Sequence, residues 1–301
     1  MKYLLFTFLV FQGQLFSQQL NNLFEATYTF SPNSADFDYQ KSGITLNYPQ
    51  KLGKGFLMNS IQFAHHNLDY NEDYSFELSD IKEFYEIGYA ILYSHPLKKR
   101  WRLTARFNPQ LISNLQGSLS RNDVLLNGNL IATKRWGTLE KGSSFGFGLI
   151  YAPISGRQGL LPYLRFNQML NERYSYAIGF PNTYFRYSPN LKNNFELGLK
   201  IYGLNANLSG NNSPEFNGIQ TQKVQFVNFN ANFSYSRFFA EAWKINLNAG
   251  YSLFNRYVLA DSNQDEVYDF DIGNRPFVSV GISYDLQRAK RKKSGKADNK
   301  N

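Results

Sequence analysis

From Phe24 onward the chain alternates apolar and polar residues with a period of two. Phe24, Ala26, Tyr28 and Phe30 interleave with Glu25, Thr27 and Thr29, which places the two sets on opposite faces of an extended strand. The pattern returns at Ile44, Leu46 and Tyr48, at Tyr85, Ile87, Tyr89, Ile91 and Tyr93, and at Trp101, Leu103, Ala105, Phe107 and Pro109. Further along it marks Phe145 to Tyr151, Phe195 to Ile201, Val227 to Tyr235, Trp243 to Leu253 and Val278 to Leu286. Less regular strands are predicted over 56–68, 124–136, 161–170 and 174–180. Residues 181–188 supply one more strand or an irregular crossing, because Pro181 and Pro189 bracket them and proline cannot donate to a ladder. No stretch has a sustained helical period, and no run of some 18 apolar residues could form a membrane helix.

A greasy face on every strand suits a soluble sandwich or a membrane barrel. The strand at 101–110 discriminates between them, since its alternate face carries Arg102 and Arg106. Turning these to hydrocarbon would cost about 2–4 kcal/mol apiece near the midplane, so the apolar set faces outward and the arginines face a lumen. Connections near 49–55, 94–100, 137–142, 171–173, 189–194 and 237–242 read as short turns, whereas those near 69–80, 112–123, 205–220 and 256–274 read as long loops. Short turns at one end and long loops at the other are the plan of outer-membrane barrels. Trp101, Trp136 and Trp243 each sit beside a short turn, with Tyr93, Tyr174, Tyr235 and Tyr284 at the same level, as an aromatic girdle at the periplasmic interface requires. The predicted fold is all-β, a transmembrane antiparallel up-and-down β-barrel of about 14 strands, with 12 if 181–188 is not a strand.

The N-terminus adds an address. Lys2, an apolar run from Leu4 to Phe11 and the small Ser17 make residues 1–17 a secretory signal peptide, so 18–286 is the barrel. The absence of cysteine excludes disulfides and thiolate metal sites. A net charge of +9 invites a nucleic-acid reading, but Arg288, Lys290, Arg291, Lys292, Lys293, Lys296 and Lys300 crowd into 287–301, a basic extension predicted to be disordered in the periplasm. The folded body therefore has little net field, and no nucleic-acid partner is predicted.

Candidate chemistry lies on the inward set. Glu86, Arg102, Arg106, Glu196, Lys200 and Lys244, with Asn228, Asn230, Asn246 and Asn248, are expected to line the lumen, and Phe84, Tyr202 and Phe226 to be inward aromatics. These groups either orient a small polar solute or pair across strands and fill the interior. Asp261, Asn263 and Asp265 have the spacing that opens a calcium loop, but Glu266 stands where that loop needs glycine, so a solvated acidic loop is expected and no cofactor is predicted. His66 points inward near Ser60, a pair without a visible orienting acid, and no enzyme activity is predicted.

The last strand also resembles the β-signal read by the barrel-assembly machinery of Gram-negative bacteria, with Ser279, Gly281, Tyr284 and Leu286 in the matching places. Gly179-Phe180-Pro181 and the acidic loop before Arg275-Pro276 resemble a group of bacterial outer-membrane barrels of unknown function. The resemblance implies an outer-membrane location, a lipid environment and the assembly machinery as a partner. The expected function is a non-enzymatic barrel that passes or binds a small solute. The alternatives are a structural or adhesive barrel acting through long extracellular loops, and an outer-leaflet lipid-modifying enzyme.

Overall fold

The computed structural model describes residues 22–32, 37–71, 73–138, 141–210, 213–270, 272–286 and 288–289. The expected signal peptide and almost all of the basic extension lie outside them. Fourteen strands form the wall: β1 Asn22–Ser31, β2 Phe37–Leu52, β3 Gly55–Tyr70, β4 Glu83–Pro96, β5 Trp101–Ser113, β6 Val124–Gly137 and β7 Gly142–Ala152. They continue as β8 Gly159–Met169, β9 Tyr174–Phe180, β10 Asn182–Asn190, β11 Asn193–Asn207, β12 Lys223–Phe238, β13 Trp243–Ala260 and β14 Pro276–Asp285. Each pairs antiparallel with its chain neighbours, and β14 pairs with β1 from Tyr284 opposite Phe24 to Val278 opposite Phe30. The ring is closed, which leaves no strand edge for hydrocarbon to strand without a partner.

The twelve-strand alternative is excluded. Residues 182–190 are a true strand, with Arg186 opposite both Ser175 of β9 and Glu196 of β11. The first short turn is tighter than the sequence suggests: β2 runs through Pro49 to Leu52 and only Gly53 and Lys54 remain outside the strands. The outward set is apolar as expected, with Ile44, Leu46, Ile61, Phe107, Leu149 and Leu197 among its exposed side chains.

The long-loop end departs from a simple cylinder. Pro181 alone joins β9 to β10, so the wall is low there, while β11 continues to Asn207 and reaches across to pair in parallel with Ser113 of β5. Several strands extend into what the sequence presents as loops, β11 to Asn207 and β13 to Ala260 the furthest. In β13 the cause is a bulge: Phe254 faces Phe229 but Ser252 faces Asn230, leaving Leu253 as the extra residue. A bulge shifts the alternation by one, so that Asn255, Tyr257 and Leu259 turn inward where a loop was expected. A short strand, Glu266–Asp269, adds to the end of β13, and a small hairpin, Glu215–Phe216 with Ile219–Gln220, lies in the loop before β12.

Charge is separated along the barrel axis. Among the described residues the short turns expose Lys51, Lys54, Lys98, Lys99, Arg100, Lys141, Arg173 and Lys192, against Glu172 and Glu241. Exposed charge at the other end is mostly acidic, including Asp69, Asp73, Glu77, Glu83, Asp265 and Asp269.

Candidate functional site

Inward positions change character from one end of the barrel to the other. Toward the long loops they are apolar. Phe37 of β2, Leu68 of β3, Phe84 of β4, Leu204 of β11, Phe226 of β12 and Tyr257 and Leu259 of β13 form one buried cluster with the loop residues Ile81, Phe270 and Ile272. Tyr257 packs its ring on Phe270 at 4.6 Å and on Phe37 at 5.1 Å between centroids, and its hydroxyl meets that of Tyr70 at 2.8 Å. The Arg275 guanidinium lies 4.4 Å over the Phe37 ring and donates to the Phe37 carbonyl at 2.9 Å. This plug occupies the lumen at the long-loop end. Burying an aromatic side chain is worth several times the energy of a methylene, so the plug is also a major part of the fold's core.

Beneath it sits a charged cluster. Glu86 of β4 accepts from Gln110 Nε2 at 2.5 Å and lies 3.5 Å from Lys41 Nζ and 3.5 Å from His66 Nε2. His66 is fully buried, and its Nδ1 meets the Tyr39 hydroxyl at 2.8 Å. Lys41 also donates to the Tyr202 hydroxyl at 3.2 Å. Every member comes from alternate positions of a strand: Tyr39 and Lys41 from β2, His66 from β3, Glu86 from β4, Gln110 from β5 and Tyr202 from β11. The alternation puts Glu86, His66, Gln110 and Tyr202 on the inward face but does not single out Tyr39, Lys41 or Arg275. Phe37, Tyr39 and Lys41 alternate in the sequence, and extending β2 upstream of Ile44 would have found them.

Below this cluster is a chamber of about 540 Å³ bounded by β1–β4 and β10–β14. That is the size of a small-molecule site. Glu25, Thr27, Thr29, Lys200, Asn228, Asn230, Asn232, Asn248 and Ser279 line it. The Lys200 ammonium forms no hydrogen bond or ion pair among the described residues, while its backbone sits in the ladders to Asn182 and Asn230. The asparagines make a ladder along the wall: Asn230 donates to Asn228 at 2.5 Å, Asn232 to Asn248 at 3.3 Å, and Asn246 to Ser283 at 3.3 Å. Toward the short turns inward polar side chains pair with one another. Arg102 donates to Ser94 at 2.9 Å, Ser60 to Asn47 at 2.6 Å, and Arg186 holds Glu196 at 2.7 Å. Lys244 is buried there at 5.9 Å from the Phe238 ring, and Arg106 also faces in.

The ten expected lumen residues fall into different layers: Glu86, Glu196, Lys200, Asn228, Asn230 and Asn248 border the chamber, and Arg102, Arg106, Lys244 and Asn246 lie outside its lining. Glu196 is held by Arg186, whereas Lys200, Asn228, Asn230 and Asn248 front the chamber. Ser60 and His66 are separate, since Ser60 is committed to Asn47 and His66 to Tyr39 and Glu86. Trp101, Trp136, Trp243, Tyr93, Tyr174, Tyr235 and Tyr284 all lie toward the short-turn end of their strands, with Trp243 and Tyr284 in contact at 5.2 Å and Trp243 and Phe24 at 6.1 Å. Ser279 accepts from Thr29 at 3.0 Å across the closing seam, Gly281 lies opposite Thr27, and Leu286 falls one residue past the end of β14. At the acidic loop Asp261 accepts from the backbone of Asn263 at 2.8 Å and of Asp265 at 2.9 Å, and Asp265 lies 3.9 Å from Arg157. That carboxylate organises a turn, and no group of three histidine or acidic residues able to hold a metal ion occurs among the described residues.

A family model described as "Domain of unknown function (DUF6268)" matches residues 44–285. No curated protein matches the chain. Among solved structures, the NanC porin is similar at 10% identity and a TM-score of 0.43, over 87% of this chain and 100% of the porin. The COG4313 outer membrane channel from Pseudomonas putida F1 is similar at 10% identity and 0.41, over 87% and 94%. LpxR from Salmonella typhimurium is similar at 7% identity and 0.37, over 87% and 100%.

Proposed function

This chain belongs to the DUF6268 family, and we propose that it is a non-enzymatic outer-membrane barrel that admits a small polar solute to its internal chamber, exported by its signal peptide. The chamber of about 540 Å³, bearing Lys200 and a row of amides, is the observation that carries this reading. On it, the short turns face the periplasm and the long loops face outward, as in other outer-membrane barrels. The plug is then the outer gate. Passage through the lumen needs Phe270 and Ile272, which come from the loop before β14, to move away from Tyr257 and Phe37. The same packing disfavours the adhesive alternative, because the loops commit Phe216, Phe270 and Ile272 to the barrel mouth instead of presenting them. The lipid-modifying alternative lacks support in the lumen, where His66 is sealed between Tyr39 and Glu86.

Planar-bilayer recordings test the reading. Phe84→Ala with Tyr257→Ala should raise open probability over the natural chain, because truncating two packed aromatics opens space in the plug. Lys200→Glu, which reverses a chamber charge, should shift reversal potential toward cation selectivity in that background. Unaltered selectivity in an assembled Lys200→Glu barrel would remove the chamber from the solute path.

A further inference from the structure

We propose that the rim of short turns is a binding surface for anionic phospholipid headgroups, with the phosphodiester as the group recognised. The small net charge of the folded body conceals a polar distribution, cationic at this rim and acidic at the opposite end. Charge alone would suit any polyanion. What selects a lipid surface is that the cationic turns also expose large apolar side chains: Leu52 beside Lys51 and Lys54, Leu97 before Lys98, Leu170 near Arg173, Leu191 before Lys192, and Phe239 after Arg237. Leu191 is 88% exposed. A turn bathed in water gains nothing from such residues. At a headgroup boundary the apolar group meets acyl chains while its basic neighbour meets phosphate.

The cations are also held in place. Arg100 donates to the Gly137 carbonyl at 3.0 Å, and Lys134 donates to the Lys99 carbonyl while its ammonium lies 5.5 Å from the centre of the Trp101 ring. Two neighbouring turns are thereby clasped into one basic surface next to an aromatic anchor. Lys99 and Arg100 have φ of 54° and 61°, a left-handed pair that glycine or asparagine adopts with less strain. Long basic side chains occupy these positions despite that backbone cost.

Lipid retention by the full chain in neutral detergent tests the proposal. The barrel is supplied with equal phosphatidylglycerol and phosphatidylcholine, and bound lipids are counted by native mass spectrometry. Phosphatidylglycerol should be retained about tenfold over phosphatidylcholine at low salt, with the preference shrinking above ~0.1 M salt as the screening length falls toward 10 Å and below. The variant Lys54→Gln, Lys99→Asn, Arg100→Gly, Lys192→Gln should lose most of the preference. Its two changes at the left-handed pair ease the backbone, so heat-modifiable migration should be kept. Equal retention of the two lipids by the natural chain, or a preference unmoved by salt, overturns the proposal whether or not the variant folds. A preference undiminished in the folded variant also overturns it, and would assign the lipid to the basic extension.

Discussion

Asp123 is where one side chain ties the long-loop end together. It is fully buried at the start of β6, accepts from the Ser120 amide at 2.6 Å and from Asn207 at 2.8 Å, and so anchors the far end of β11 to the β5–β6 connection. Burial raises its pKa, but hydrogen bonds from Ser113, from the Ser120 backbone and hydroxyl, and from Asn207 outweigh it, and the carboxyl lies below its ordinary value. A depressed carboxylate contributes stability above the unfolded pKa of about 4, and that contribution is lost as pH falls through the folded value. Acidification below about pH 4 should therefore loosen the tip of β11, seen as faster amide exchange at 205–208. Asp123→Asn should show the fast exchange already at neutral pH, at a cost of about 1–3 kcal/mol, with little further change in acid. At this scale the sequence disclosed direction but not company. Alternation placed Glu86 and His66 in the lumen correctly, yet nothing local in the chain reports that Lys41, some 45 residues upstream of Glu86, reaches the same carboxylate.

Among the elements, strands with strict alternation were legible and those whose phase changes were not. The bulge at Leu253 leaves two consecutive outward apolar residues, Leu253 and Phe254, both about half exposed. Read without the bulge, Tyr257 and Leu259 fall on the wrong face and the strand seems to end early, which is why periodicity shows Phe84 and Phe226 of the plug but not its β13 members. β10 is open to two readings in the sequence because Pro181 and Pro189 bracket it; the strand runs through Pro189, and Pro181 alone links it to β9. Where the wall is low, the loop at 153–158 closes it by lying on β11: Asn205 donates to the Gly156 carbonyl at 3.1 Å, and Gly203 sits directly against the Pro153 and Ile154 carbonyls. A Cβ at 203 would overlap those backbone oxygens. Gly203→Ala should displace this loop and cost about 1–3 kcal/mol, measurable as easier proteolysis at 153–158 with the rest of the barrel intact.

For the molecule as a whole, closure is the property on which every other feature depends, and it follows from an even strand number. β14 runs antiparallel to both of its neighbours, with Tyr28 opposite Val280 on one side and Leu247 opposite Val280 on the other. β1 and β13 are consequently parallel to each other and cannot substitute for it by making the same ladder. Removing residues 276–286 would leave two long edges of unpaired amides and carbonyls at bilayer depth, each group costing several kcal/mol, far beyond the marginal stability of a folded chain. The deletion should abolish the heat-modifiable band on gels after refolding into vesicles. Deleting 287–301 should leave that band unchanged, because residues 22–285 supply every ladder of the ring. If the 276–286 deletion still yielded a heat-modifiable barrel, the seam between β14 and β1 would not be what closes this fold.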